Sequence, residues 1–484
     1  MALPKEFVQN ADDAGAERVH IVWDKRSHPS DNLLDANLVE YQGPSLMIYN
    51  DAKFTADDFR NTNWKIWTWF CVFDPHCESL LDGGRVVNLN DKFLDNHIVD
   101  LMSDQLKPFE CFEGFNTSLF KNNSSKEFLG TIFRLPLRSN SQAENSKLSK
   151  LSYDENEIMC LFDMMRKMGE LLILFTQNVH EIKVSILENE GEDFECLFSF
   201  SRSISNITNL LSNTNLSSIR ILSESTECTY EVDITESSNH VKKYLISAYS
   251  RKRHLEGIMA SCAAVSICDG IPNILKTNTL CCFLPLPIHS KLPFILNGNF
   301  ELSTSRRELT MKTIDDKRNT GQWNNELLRD YSVPAIFNLL NLVKSYLQEP
   351  EDVYSLFPVE LDYISEHIVE SFYKLLPTSN VPLFSTITGF QCLSNIKIID
   401  EDIDFKMQIK IKSLLDVLYN NKLMSNAAVV LPSKIFKMFY KYPFPSDLFL
   451  SLANCLRIIL QNVKNLNYKE AEEDHISWGG FTIG

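Results

Sequence analysis

Three side chains near the amino terminus have the types and spacing to work on a metal-bound nucleotide. In Glu6-Phe7-Val8-Gln9-Asn10-Ala11-Asp12-Asp13-Ala14, Asn10 follows Glu6 by four positions and Asp13 follows Asn10 by three. On a helix, residues three and four apart share a face. One helix then presents a carboxylate, a carboxamide and a second carboxylate in a row. An amide oxygen suits a hard cation such as Mg2+. A carboxylate beside it can orient or deprotonate an attacking water. On spacing alone, the commoner origin of such a row is a solvated polar face that stops at Ala14-Gly15.

The elements around this row follow from periodicity. Phe7, Ala11 and Ala14 recur at helical spacing, and Gly15 is placed to end the helix. Arg18 to Trp23 alternates as a half-buried strand does, Ser45 to Tyr49 forms a second strand with Asn50-Asp51 as its exit turn, and Gly130 to Leu135 forms a third. Residues 139 to 157, rich in Ser, Asn, Lys and Glu, read as a linker or exposed loop. Ile158 to Leu174 is an amphipathic helix. Glu181 to Leu187 and Phe194 to Phe200 form a hairpin. Thr229 to Val232 and Tyr244 to Tyr249 are further strands. Leu280 to Pro287 reads as one buried strand, and Phe294 to Leu302 follows with Asn297-Gly298 as a turn. Trp323 to Leu347 is helical with an interruption at Pro334. Beyond residue 348 the pattern is mainly helical, over Pro358 to Leu376, Phe405 to Leu423 and Asp447 to Val463.

Composition narrows the function classes. The chain has 484 residues, 44% hydrophobic and 23% charged, within the globular range and long enough for about three domains. Its net charge of −16 repels phosphate backbones, which argues against general nucleic-acid binding. The longest apolar candidate, Gly257 to Cys268, falls short of the roughly 18 residues that span a bilayer. The first residues lack the basic and apolar regions of a secretory signal. The chain therefore reads as soluble, intracellular and cytoplasmic, with no membrane partner. The 12 cysteines read as reduced thiols, and Cys71 and Cys77 have no second pair to complete a zinc site.

Motif order adds a resemblance. EFVQNADDAGA looks like the N-box helix of the GHKL, or Bergerat-fold, ATPases: gyrase, histidine kinases, MutL and the ninety-kilodalton heat-shock chaperones. More narrowly it resembles the sacsin family, through blocks that run in order. These are HPSDNLLDANLVEYQGPSLMIYNDAKFTADDF, FDPH at Phe73 to His76, GTIFRLPLR from Gly130, FLPLPIHSKLPFILNGNFELSTSRREL from Phe283, and WNNELL at Trp323 to Leu328. The resemblance implies ATP and Mg2+ as cofactors, with Glu6 as general base, Asn10 as the metal ligand and Asp13 beside the nucleotide. It implies that Asp51 accepts from the adenine amino group and that Thr131 supports that contact. It also implies that Arg306 or Arg307 reaches the γ-phosphate from a second domain. Taken without the resemblance, Asp51 is equally a turn residue, Thr131 an edge-strand β-former and the arginine pair a cover over apolar surface.

The implied fold class is α/β (α+β). A truncated Bergerat-type sandwich would occupy 1–140, an α/β middle domain with the arginine loop 141–347, and a mostly helical part 348–484. One departure is conspicuous. The family places a glycine-rich, phosphate-wrapping segment after the Asp51 strand, whereas Thr55 to Val72 contains no glycine. Close backbone approach to phosphates needs glycine. The strand expected before the N-box helix is also missing. ATP hydrolysis is therefore expected to be weak or absent. Two functions compete: a chaperone or co-chaperone-related module, whose implied partners are a seventy-kilodalton chaperone system or client proteins, and a non-catalytic interaction scaffold. A histidine kinase is disfavoured, because no dimerisation hairpin with an exposed His precedes the motif. The charge disfavours DNA repair of the MutL type.

Overall fold

Arg18–Asp24 and Ser45–Asn50 form two paired strands that are buried on both faces over most of their length, rather than half-buried by alternation, and the amino-terminal architecture grows outward from them. The structure, a computed structural model, describes residues 2–53, 69–73, 84–89, 97–115, 128–147, 149–189, 191, 193–208, 225–253, 257–273, 278–304, 307–310 and 321–462. These form two compact units, one of residues 1–203 and 233–241, the other of residues 204–232 and 242–484.

In the first unit, helix α1 (Ala2–Asp13) leads into β1 (Arg18–Asp24), β2 (Ser45–Asn50), β3 (Trp69–Phe73) and β4 (Gly84–Asn88). Helices α2 (His97–Leu101) and α3 (Ser103–Leu106) follow, then β5 (Thr131–Pro136), α4 (Asn140–Asn145), α5 (Glu155–Leu174), β6 (Glu181–Leu187) and β7 (Glu195–Thr208, whose last five residues belong to the second unit). Gly15, at φ +80°, ends α1. The Ala16 amide donates to Ala11 O and the Gly15 amide to Asp12 O, the pattern of a Schellman stop. The sheet order is β7-β6-β1-β2-β5. β1 runs antiparallel to β2 and parallel to β6, so the sheet is mixed. Residues past 140 thus complete the same sheet that β1 begins.

Register assigns the two faces. Ile21, Ile48 and Phe133 align across β1, β2 and β5. Phe7 of α1 packs on that face, its ring centroid 4.9 Å from that of Phe133. Helix α5 lies beside α1, with Gly169 against the Phe200 ring. On the opposite face Val22 and Met47 form a core with Phe112 and Leu187. β3 and β4 pair as a separate antiparallel hairpin near a small core of Val87, Leu89, Val99, Met102 and Leu106. Of the glycine-free interval, residues 69–72 lie in β3, and residues 55–68 lie outside the described residues.

The span 139–157 is more ordered than its composition implies. Ser139 and Gln142 form a capping box that starts α4. Asp154 and Glu157 form another that starts α5 three residues before the expected Ile158.

The second unit contains β8 (Ser225–Glu236, whose last residues belong to the first unit), β9 (Val241–Arg253), β10 (Gly257–Cys268), β11 (Ile271–Asn273), β12 (Asn278–Cys282), β13 (Leu284–Ser290) and β14 (Ile295–Gly298). Their order is β13-β12-β14-β10-β9-β8, with β11 on β10. The predicted single strand Leu280 to Pro287 is two antiparallel strands. Phe283, at φ +60°, turns the chain between Cys282 and Leu284, which pair directly. Asn297-Gly298 is strand rather than turn. Asn297 Oδ1 accepts from the Phe283 amide at 2.8 Å, and Gly298 packs so closely on Leu327 and Phe300 that a Cβ would lie about 3.0 Å from them.

The expected helix Trp323 to Leu347 is α6 (Gln322–Glu326), a wide π turn (Leu327–Tyr331) and α7 (Ser332–Val343). Proline cannot donate to the i−4 carbonyl and crowds it. The turn that precedes Pro334 opens accordingly. Helix α8 (Ser365–Leu375) starts later than the expected Pro358, because Asp362 Oδ1 caps the amides of Ile364 and Ser365.

The remaining elements are β15 (Phe384–Thr386), β16 (Gly389–Gln391), β17 (Ile396–Ile399), α9 (Phe405–Asn420), β18 (Ala427–Val429), α10 (Ser433–Lys441), β19 (Phe449–Leu450) and α11 (Leu452–Asn462). This part is mainly helical, but it also holds a parallel sheet in the order β18-β17-β19. The whole is a mixed α+β protein.

Candidate functional site

Helix α1 separates its two faces sharply. Pro4, Val8, Ala11 and Asp12 are buried, while Asn10 and Asp13 are exposed and Glu6 is half-buried. At 100° per residue Glu6, Asn10 and Asp13 fall within one sector, opposite Val8. The row exists as its spacing implies, and it lies on the side of α1 away from the apolar packing.

Asp51 sits where β2 ends, directly against the start of β1. Its Oδ1 accepts from the backbone amides of Glu17 and Arg18 at 2.8 and 3.0 Å. Its Oδ2 accepts from Arg18 Nε at 3.1 Å. Burial alone would raise its pKa, but the Arg18 and Glu17 donors outweigh that and hold the carboxyl below the ordinary range. Thr131 opens β5 opposite Asn50. Its hydroxyl donates to Ala52 O at 2.9 Å, one residue past Asp51. Asn50 Oδ1 accepts from the Ala52 amide at 3.1 Å and closes the exit turn. The structure therefore brings Asp51 and Thr131 to one corner of the sheet. That corner adjoins the turn that follows Asp13.

Sequence reasoning missed a buried acidic residue of α1 that several backbone amides hold. Asp12, buried, accepts from the amides of Gln177, Asn178 and Val179 at 2.6–3.0 Å. Asn178 Nδ2 returns a bond to Asp12 O at 2.8 Å. The signal was available, since Asp12 lies four residues past Val8 and so on the buried face. Arg18 was also missed, and no local pattern announces a partner 33 residues away.

The arginine-bearing segment belongs to the second unit. Arg306 lies outside the described residues, and Arg307 is exposed. The base of this loop is pinned. The Ser303 amide donates to Glu308 O, and the Thr310 amide donates to Glu301 O. Asn324, fully buried, donates through Nδ2 to Glu301 O and Thr310 O and accepts from the Glu301 amide, all at 2.7–2.8 Å. Trp323 Nε1 donates to Asn299 O at 2.8 Å. These bonds tie WNNELL to the base of the arginine-bearing loop. Among the described residues no three His, Cys, Asp or Glu side chains gather as metal ligands, so the metal reading rests on Asn10. No helix among the described residues is long and apolar enough to cross a membrane.

The first unit is thus a mixed sheet with a polar row on its first helix and a carboxylate at the adjoining strand end. Residues 2–64 and 67–199 match the Sacsin domain, and the chain is sacsin-like. Human sacsin (Homo sapiens) is 24% identical over 444 residues, which cover 78% of this chain and 9% of sacsin. The family match takes in Glu6, Asn10, Asp13, Asp51 and Thr131, while the 301–310 loop lies beyond it.

Proposed function

We propose that this chain is a sacsin-type, chaperone-related module of the cytoplasm that retains the base-reading corner of an adenine-nucleotide site and has lost efficient hydrolysis. The observation that carries this reading is the juxtaposition of Asp51 and Thr131 across β2 and β5, beside the end of the helix that bears Glu6, Asn10 and Asp13. A carboxylate is the right acceptor for an exocyclic amine, and the amides of Glu17 and Arg18 fix its orientation. Asn10, with an exposed carboxamide, suits Mg2+ through its oxygen. ATP, when bound, would supply the phosphoryl-transfer chemistry. Glu6 would hold the attacking water. Partners would be clients or a seventy-kilodalton chaperone system.

The second reading, a scaffold without nucleotide binding, is favoured by one observation: both Asp51 oxygens already have donors. Thermal denaturation with Mg2+ and millimolar ATP separates the two, because only a ligand that binds the native state raises the midpoint. A rise without turnover is expected. An unmoved midpoint would leave the scaffold standing. ATP turnover that Glu6→Ala abolishes would overturn the loss of hydrolysis.

A further inference from the structure

We infer that Arg18 is a latch on Asp51, and that it sets how readily the corner accepts an adenine base; this rests on the nucleotide reading above. The carboxylate is held asymmetrically. Oδ1 is fixed by two backbone amides, which no side-chain motion removes. Oδ2 is held by the Arg18 side chain, so it is the oxygen that can be released. An incoming exocyclic amine must displace Nε–H from Oδ2 or share that oxygen with a guanidinium at the edge of the base.

The two partners differ in freedom. The Arg18 side chain is 60% exposed and that of Asp51 only 17%. Arg18 can therefore swing into water while Asp51 stays in place. An exposed ion pair of this kind is weak. The latch thus lowers affinity without closing the corner, and its removal raises affinity by up to roughly fivefold. Arg18 is in this sense a specificity-determining residue: its effect falls on ligands that offer an amine to Asp51 and spares those that do not.

The test is calorimetric titration of the full chain and its Arg18→Ala, Arg18→Gln and Asp51→Asn variants. The probes are adenosine, inosine and ADP with Mg2+. Adenosine carries no phosphate, so loss of a positive charge does not confound base recognition. Inosine lacks the exocyclic amine. Both Arg18 variants are expected to bind adenosine more tightly, by about threefold to fivefold, with inosine unchanged. Asp51→Asn should erase the gain when combined with Arg18→Ala. Equal adenosine affinity in the wild type and both Arg18 variants would overturn the latch and leave the nucleotide reading intact. An equal gain for inosine would also overturn it, by showing that Arg18 acts through bulk. Failure of every variant to bind adenosine or ADP would sink the nucleotide reading, and the latch with it.

Discussion

Asp12 and Asp13 are neighbours of the same type, yet the fold uses them differently. Asp12 is buried and saturated by backbone donors of residues 177–179, while Asp13 is exposed. Asp12→Ala leaves three inward amides without their acceptor and is expected to cost about 2–4 kcal/mol, since charge-assisted bonds and orphaned buried donors both exceed the average. Asp13→Ala should cost under about 1 kcal/mol. Urea denaturation of the two variants checks this, and equal losses would remove the distinction. His20 gives a pH signature. Its ring lies against Phe194 and bonds to Ser185 Oγ at 2.9 Å. Burial, aided by Lys183, lowers its pKa to about 3. Below the unfolded value of about 6.5, the unfolded chain takes up a proton that the folded chain refuses. Stability from this source is therefore complete above about pH 6.5 and is lost as pH falls toward about 3. His367, also lowered by burial, acts in the same direction, so the informative quantity is a difference. Between about pH 4.5 and 6.5, His20→Gln is expected to flatten the acid slope of the thermal midpoint relative to wild type.

Elements with a clear alternation or a long apolar stripe were legible in the sequence. β1 and α5 follow from such patterns, and β2 and β5 from short apolar-rich runs closed by Asn50-Asp51 and Pro136. The short strands β15 to β19 were not legible, because two to four residues give no period, and those of β18 are buried throughout. The split at Phe283 was invisible for another reason: a left-handed aromatic residue is uncommon, and it depends here on Asn297 from a strand 14 residues away. The polar row of α1 was readable from spacing, but the engagement of Asp51 by Arg18 was not, since it depends on β1 and β2 pairing. Packing between elements overrides propensity at Gly169. Alanine normally favours a helix by about 1 kcal/mol over glycine. A Cβ here would lie 1.9 Å from the Phe200 ring. Gly169→Ala should therefore destabilise the first unit by roughly 1–3 kcal/mol, and a gain in thermal midpoint would refute this packing. Asn324 is the corresponding element-scale pin in the second unit. Asn324→Ala is expected to speed hydrogen exchange at the Ser303 and Thr310 amides, which close the arginine-bearing loop, more than at the α7 backbone.

At the scale of the molecule, the two units are not consecutive pieces of chain. The first takes residues 233–241 from beyond the stretch 204–232, which belongs to the second. That short return makes specific contacts inside the first unit. Glu236 pairs with Arg166 of α5 at 2.7 Å, and Ser237 exchanges bonds with Ser199 of β7, its amide donating at 2.9 Å. Arg166 is half-exposed, so the ion pair alone contributes little. The return also completes backbone bonds at β7, which water must otherwise satisfy. A fragment of residues 1–203 therefore lacks part of its own unit, whereas a fragment of residues 1–241 contains all of it. The longer fragment is expected to melt at a higher temperature and with a sharper transition, followed by circular dichroism. Glu236→Ala together with Ser237→Ala should remove only a minor part of the difference, because the Ser237 amide still donates to Ser199 O. Equal midpoints for the two fragments would mean that the return is bound too weakly to count as part of the first unit.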